Sequence, residues 1–129
     1  MIENLSQEQL AGILESIPIE ISFVDEDDLV RFWNKHETRI FKRPSAVVGK
    51  SVQNCHPKQS VHKVNKILCD FKAGKRDSAE FWIELRGRKV YIRYFAVRSR
   101  AGKYLGTLEA TQDITNMQKI EGEKRLLDD

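Results

Sequence analysis

The sequence is poor in residues that cross-link or interrupt a fold. It has two cysteines, three prolines and no uncharged apolar run longer than a few residues. A chain of this length can bury roughly two thirds of its unfolded surface without a disulfide, so we expect Cys55 and Cys69 to be thiols. The short apolar runs exclude a membrane span, and nothing resembles a signal peptide. The composition predicts one soluble, cytoplasmic domain of 129 residues.

Positive charge is absent from the first thirty residues, which hold eight acids. Residues 31–103 hold nineteen bases and five acids, and residues 104–129 hold six acids and three bases. The bases are scattered, without an arginine-rich run or an aromatic nucleic-acid motif, so we expect no nucleic-acid partner. The asymmetry predicts instead that the acidic N-terminal segment lies over the basic middle, within one chain or across a dimer.

Two segments have the periodicity of amphipathic helices. In residues 1–17, Ser6 and Gln9 form a capping box, and one apolar stripe runs along Leu10, Ile13, Leu14 and Ile17. A longer helix is predicted from Pro57 to Ala73, ended by Gly74. Its apolar arc, which should face the core, contains Val61, Val64, Ile67, Leu68 and Phe71.

Strand patterns fill most of the remaining sequence. "IEISFVDEDDLVRFWN" predicts a hairpin around an acidic turn, and "AEFWIEL" alternates as a half-buried strand does. "KVYIRYFAV" and "YLGTLEATQD" complete three consecutive antiparallel strands. The prediction is an α+β fold with a five-stranded antiparallel sheet, helices on one face and flanking terminal helices.

The segment boundaries follow from this order. Residues 1–17 are predicted to be an N-terminal amphipathic helix, and residues 18–115 the core. Residues 116–129 are predicted to be a C-terminal signalling or linker helix, because Thr115 and Gln118 offer a capping box before Met117, Ile120 and Leu127.

Four short motifs lie between these elements in a recognisable order: Asn34, "VGKS" at 48–51, "HP" at 56–57 and "DIT" at 113–115. Together they resemble a PAS domain over roughly residues 8 to 127. The runs "NCHPKQSVHKVNKILCDFKAGKRDSAEFW" and "GKYLGTLEATQDIT" resemble, more narrowly, the PAS domains attached to hemerythrin-like modules in bacterial and archaeal proteins.

The resemblance implies a prokaryotic sensory module without catalytic activity. Such a module binds a small ligand between sheet and helices, dimerises through its terminal helices and passes strain to whatever follows "DIT". The full-length protein would then carry a hemerythrin-like or other output domain. A shift of the sheet would change how the last helix leaves the domain, because Asp113 or Thr115 can cap that helix.

The stretch "NCHPKQ" could hold a cofactor. It echoes the flavin-reactive cysteine motif of light-sensing PAS domains, but Cys55 follows Gly49 by six residues where that family has about three. Arg93 and Thr111 also stand where that family has Asn and Gln, so we do not expect flavin. Haem bound through His56 is an alternative, whereas His62 lies almost opposite the apolar arc. The simplest alternative is that His56 and Pro57 only begin the helix.

Metal and catalytic sites are not expected. The candidate side chains His36, Cys55, His56, His62 and Cys69 have neither Cys-x-x-Cys nor paired-His spacing. Adjacent side chains in an extended segment point apart, so Cys55 and His56 do not form a nucleophile and base pair.

The apolar pattern predicts the lining of a pocket between sheet and helices: Phe23, Phe32, Val64, Ile67, Leu68, Phe71, Phe81, Ile83, Ile92 and Leu108. Arg93 and Glu109 would orient a ligand if they point inward. A packed core would give the same pattern. The hypotheses are therefore a ligand-binding sensory module, a haem-binding redox or gas sensor, and a dimerisation scaffold with a filled core, with the Leu10–Ile17 stripe as the dimer contact.

Overall fold

The structure, a computed structural model, describes residues 1–43, 47–55 and 60–128. Its helices are α1 (Gln7–Ser16) and α2 (Val61–Lys72). Its strands are β1 (Glu20–Asp25), β2 (Val30–Trp33), β3 (Ser78–Leu85), β4 (Arg88–Arg98) and β5 (Tyr104–Asp113). Single 3-10 turns cover Ile2–Asn4, Val52–Cys55 and Met117–Lys119.

The five strands form one antiparallel sheet in the order β2-β1-β5-β4-β3. Successive side chains of a strand point to opposite faces, so the sheet has an inner face toward α2 and an outer face away from it. Val24, Tyr94, Thr107 and Glu109 line the space beneath α2 and therefore mark the inner face. The predicted α+β fold with a five-stranded antiparallel sheet is confirmed.

Both helices begin or end where the sequence predicts. The Ser6 hydroxyl accepts from the Gln9 amide, and the Gln9 side chain accepts from the Ser6 amide, which completes the capping box of α1. At the end of α2, Gly74 has a φ of +72°. Its amide donates to the Phe71 carbonyl and the Lys75 amide to the Asp70 carbonyl, so the helix ends in a Schellman motif.

The apolar arc of α2 faces the sheet as predicted. Leu68 and Phe71 are buried, Val61, Val64 and Ile67 are half-buried, and His62 is exposed. Leu68 packs in one core cluster with Val24, Val30, Trp33 and Val52. Burial of these side chains holds α2 over the end of the sheet that β1 and β2 form.

Asn34 joins α1 to the first hairpin. Its side chain is fully buried, and its Oδ1 accepts from the Ile21 amide at 2.7 Å. Its Nδ2 donates to the carbonyls of Leu14 at 2.8 Å and Ile19 at 3.0 Å. One side-chain amide thus satisfies backbone groups from three segments, which a buried backbone requires.

The acidic N-terminal segment pairs with the basic middle, as the charge asymmetry predicts. The ion pairs Asp25–Arg31, Glu20–Arg39 and Asp28–Lys72 each join a carboxylate of the first thirty residues to a cation beyond them. All three lie within one chain, so no second copy is needed to balance these charges.

The C-terminal helix is a wrong prediction for the described residues. After β5 the chain forms only the 3-10 turn Met117–Lys119, and residues 120–128 are not helical. Ile120, Leu126 and Leu127 are exposed, and Gly122 has a positive φ of 61°. A short helix without a packing partner is marginal in water, and no described residue buries the apolar side chains of this segment.

The "HP" motif and the cysteines are only partly described. His56 and Pro57 lie outside the described residues, as does the predicted start of α2 at Pro57. Cys69 is a free, exposed thiol, as expected. In the part of the chain that the structure describes, no helix has the length and apolar character needed to cross a membrane.

Candidate functional site

A small cavity lies between α2 and the inner face of the sheet. Its volume is about 30 Å³, and its wall consists of Val24, Val52, Val64, Ile67, Leu68, Tyr94, Thr107 and Glu109. Strands β1, β4 and β5 supply one side and α2 the other. A cavity of this size holds one or two waters, whereas small-molecule sites usually occupy about 300–1,000 Å³.

Three of the four lining residues predicted on α2 line the cavity, and none of the six apolar residues predicted on the strands does. Val64, Ile67 and Leu68 line the cavity. Phe71 and Ile92 are 0% and 4% exposed and belong to the core rather than to the cavity wall. The cavity is therefore narrower than the predicted residues would make it.

Four predicted residues lie on the outer face, which corrects their placement. Phe32 pairs with Phe23, Phe23 with Leu108 and Leu108 with Phe95, in register across four strands. This row is one position out of phase with the cavity residues Val24, Thr107 and Tyr94. The strands carry apolar side chains on both faces, so alternation alone did not show which face meets α2.

Arg93 is the fourth of these residues. Its guanidinium stacks over the rings of Tyr91 and Phe95 at 4.9 and 5.6 Å, and its Nη2 donates to Gln112 Oε1 at 2.8 Å. Glu109, its predicted partner in orienting a ligand, does line the cavity. Only Glu109 of this pair reaches the inner face.

Phe81 and Ile83 lie on the inner face but outside the cavity. They pair with Ile92 and Val90, yet they remain 41% and 36% exposed because β3 is the sheet edge. The predicted half-burial of this strand was therefore wrong, since most of its side chains are exposed. His56, the proposed haem ligand, lies outside the described residues.

Glu109 is the polar centre of the cavity wall. Arg43 Nη2 lies 3.4 Å from Glu109 Oε2, and the two side chains are 12% and 13% exposed. Arg43 Nε is buried without a hydrogen-bond partner among the described residues. Burial raises the pKa of the Tyr94 hydroxyl, and the charge of Glu109 raises it further. The phenol therefore stays neutral and can donate a hydrogen bond.

Next to the cavity lies a buried charge cluster that the sequence analysis did not find. Arg39 Nη2 donates to Ser22 Oγ at 2.9 Å and lies 3.5 Å from Glu20 Oε2. Glu20 and Ser22 share the inner face with Val24, and Thr111 Oγ1 donates to Glu109 Oε1 at 3.4 Å. The alternation Glu20-x-Ser22-x-Val24 was a sequence signal that polar side chains lie on the inner face of β1. No sequence signal indicated that Arg39 is buried beside them.

The end of β5 is tied to β4 through the "DIT" residues. Asp113 Oδ1 accepts from the Thr115 amide at 3.0 Å and from the Thr115 hydroxyl at 2.6 Å. The Lys89 amide donates to Thr115 Oγ1 at 2.8 Å, and the Ile114 amide donates a hydrogen bond to the Lys89 carbonyl. A displacement of β5 would therefore reach the exit segment through β4 as well.

The described residues do not fit a large cofactor or a metal. Within residues 1–43, 47–55 and 60–128, no group of three or more His, Cys, Asp and Glu side chains is placed to hold a metal ion. The cavity is far smaller than a tetrapyrrole site, and His62 on α2 is exposed. Haem in this cavity would need a different arrangement of α2.

Solved structures with this fold include bacterial domains, among them one from a sensor histidine kinase. The crystal structure of a C-terminal domain from Streptococcus mutans is 37% identical, with a TM-score of 0.85 and 91% of each chain covered. A sensor histidine kinase from Vibrio cholerae is 15% identical, with a TM-score of 0.59 and coverages of 82% of this chain and 89% of the other.

The PAS domain of Bordetella pertussis BvgS is 19% identical, with a TM-score of 0.63 and coverages of 87% of this chain and 88% of the other. No curated protein matches the sequence. The model of the PAS domain family matches residues 10–115, which include all five strands and α2. The chain belongs to the PAS domain family.

Proposed function

We propose that this chain is a sensory module, without catalytic activity, that binds a small ligand between α2 and the sheet. PAS domains are typical of sensory proteins. The observation that carries the proposal is Glu109, a carboxylate in an otherwise largely apolar cavity wall, beside the neutral hydroxyl of Tyr94. An apolar space with a few convergent polar groups is the usual form of a ligand site.

The size of the cavity sets a condition on this ligand. A volume of about 30 Å³ admits a water-sized molecule without rearrangement. Anything larger requires α2 to move away from β5, because α2 supplies Val64, Ile67 and Leu68 to the cavity wall. Binding and displacement of the helix are then one event, which is what a sensor needs.

The proposed signal path runs along β5. Glu109 precedes Asp113 on the same strand, and Asp113 and Thr115 hold the exit turn against β4. Movement of β5 would therefore change the direction of the chain after residue 115. In the full-length protein we expect a hemerythrin-like or other output domain, as the sequence resemblance implies.

The experiment is an NMR screen of the ¹⁵N-labelled protein against a library of small carboxylates, amines and phenols. A true ligand should shift the amides of Val64, Leu68 and Thr107, and also those of Ile114 and Thr115. Glu109→Gln should abolish both sets of shifts. Glu80→Gln, which removes a carboxylate from the outer face, should leave them unchanged.

Two outcomes would contradict the proposal. If no compound shifts the cavity amides and the protein only self-associates, the dimerisation scaffold is the better function. If added haemin produces a Soret band that His56→Ala removes, the haem sensor is the better one. Shifts at Val64 and Thr107 that do not reach Ile114 would retain ligand binding and refute the relay.

A further inference from the structure

A second cavity opens on the inner face, at the end of the sheet where β5 finishes. It is an open cleft of about 520 Å³, within the usual size range of small-molecule sites. It has no residue in common with the cavity beneath α2. Its lining comes from the loop after β2, the β3–β4 hairpin and the end of β5: Arg39, Ile40, Lys42, Leu85, Arg86, Arg88, Val90 and Asp113.

The charges of the cleft are not balanced internally. The guanidinium of Arg39 is fully occupied by Glu20, Ser22 and backbone carbonyls. Arg88 Nε donates to Asp113 Oδ2 at 2.7 Å, which accounts for the one carboxylate. The side chains of Lys42 and Arg86 have no hydrogen bond or ion pair with any described residue. Two cations therefore remain available to an anion.

Arg86 occupies a backbone position that does not suit it. Leu85 pairs with Arg88, so Arg86 and Gly87 alone form the hairpin turn, with φ values of +51° and +77°. This is a type I′ turn, in which Asn-Gly is favoured and a long side chain at the first position is strained. The turn itself gives no reason for an arginine here, whereas a ligand in the cleft would.

The remaining lining is apolar. Ile40 and Leu85 are half-buried, and Val90 is 1% exposed. Arginine recognises carboxylates through two parallel hydrogen bonds, and an aliphatic surface beside it selects for a hydrocarbon body. Two free cations beside an apolar floor formed by Ile40, Leu85 and Val90 differ from a generic anion patch, which has no apolar floor.

We propose that this cleft binds a small aliphatic carboxylate, held by Arg86 and Lys42 at its head and by Ile40, Leu85 and Val90 along its chain. The site is separate from the cavity of the proposed function, because it uses none of the residues beneath α2, although its lining includes Asp113 of the proposed signal path.

The test is an NMR titration of the ¹⁵N-labelled protein with hexanoate at constant ionic strength. Saturable shifts are expected for the amides of Ile40, Lys42 and residues 85–88. Hexylamine, which has the same chain and the opposite charge, should produce none. Inorganic phosphate should bind more weakly than hexanoate; equal or tighter phosphate binding would refute the carboxylate assignment, since the apolar floor would then be unused.

Variants separate binding from folding. Arg86→Asn suits the turn better, so its thermal midpoint should be unchanged or higher, while hexanoate affinity falls about tenfold or more. Lys42→Gln should also weaken binding. Arg100→Asn, which removes an exposed arginine from the β4–β5 hairpin at the opposite end of the sheet, is the matched control and should bind as the natural sequence does.

Three results would overturn the site. They are the absence of saturable shifts, the same affinity in Arg86→Asn and Arg100→Asn, and shifts confined to Val64, Leu68 and Thr107. The last would place hexanoate in the cavity beneath α2 and would support the proposed function while refuting this one. If hexanoate shifts neither the amides of the cleft nor those of the cavity beneath α2, the result would count against both proposals.

Discussion

Arg39 and Glu20 form an ion pair that is almost completely removed from water. Arg39 Nη2 lies 3.5 Å from Glu20 Oε2, and the two side chains are 1% and 5% exposed. Glu20 also accepts from the amide of Ile40, and Arg39 donates to the carbonyls of Ile21 and Asn34. Burial lowers the pKa of the Arg39 guanidinium, and the charge of Glu20 opposes that shift. The pair fixes the loop after β2 to the sheet.

Removing one partner of this pair should be costly. Arg39→Met leaves Glu20 buried without its counter-charge, and we expect a loss of about 3–5 kcal/mol in the free energy of unfolding, measured by urea denaturation. Arg39→Met combined with Glu20→Gln should lose less than the two single losses together, because no buried charge remains. A loss below about 1 kcal/mol for Arg39→Met would show that this buried pair contributes little.

Gly106 in β5 should not tolerate a side chain. Its φ is +153°, and an added Cβ would clash with the Val24 carbonyl oxygen and lie 2.6 Å from the ring of Phe23. Gly106→Ala should therefore destabilise the fold by about 3 kcal/mol or more, from backbone strain and overpacking. Gly102→Ala, at a φ of +88° in open space, is the control and should cost only about 1–2 kcal/mol. Similar losses for the two variants would contradict the close approach.

Asp113 should make stability depend on pH in the acid range. Arg88 and then Thr115 lower the pKa of its carboxyl from 3.8 to about 2. Because the folded state favours the ionised carboxyl, Asp113 stabilises the fold fully at any pH above its pKa in the unfolded chain. This stabilisation is lost as the pH falls through its pKa in the folded chain. Asp113→Asn should therefore be less stable than the natural sequence at pH 5 and above, with most of the difference lost by roughly pH 2. A difference that stays constant from pH 6 to about pH 2 would contradict the shift.

The apolar stripe of α1 predicts self-association. Ile13 in that stripe is 45% exposed, so Ile13→Gln should raise the dimer dissociation constant about tenfold while leaving the monomer's stability within about 0.5 kcal/mol. Analytical ultracentrifugation measures the dissociation constant, and urea unfolding measures the stability of the monomer. Ile2→Gln makes the same substitution at a 65% exposed position outside α1 and is the control. Equal dissociation constants for both variants would place the dimer contact elsewhere.

The candidate site was only half predictable from the sequence. The helical period of α2 assigned Val64, Ile67 and Leu68 to the cavity correctly, because a helix with one apolar arc has only one way to face the core. The pattern of the strands did not show which of their faces meets α2. Phe23 and Leu108 were expected inside and lie on the outer face, because β1 and β5 carry apolar groups on both sides.

Local sequence determined the capping box at Ser6, the glycine that ends α2, the order of strands and helices, and the partition of acidic and basic segments that pair within the chain. These depend on near neighbours and on periodicity. Tertiary structure decided which face of the sheet meets α2, that Glu20 and Arg39 share a buried site, that β3 lies exposed at the edge, and that the last residues do not form a helix. Those outcomes depend on long-range burial and on the presence of a packing partner, which periodicity in one chain does not encode.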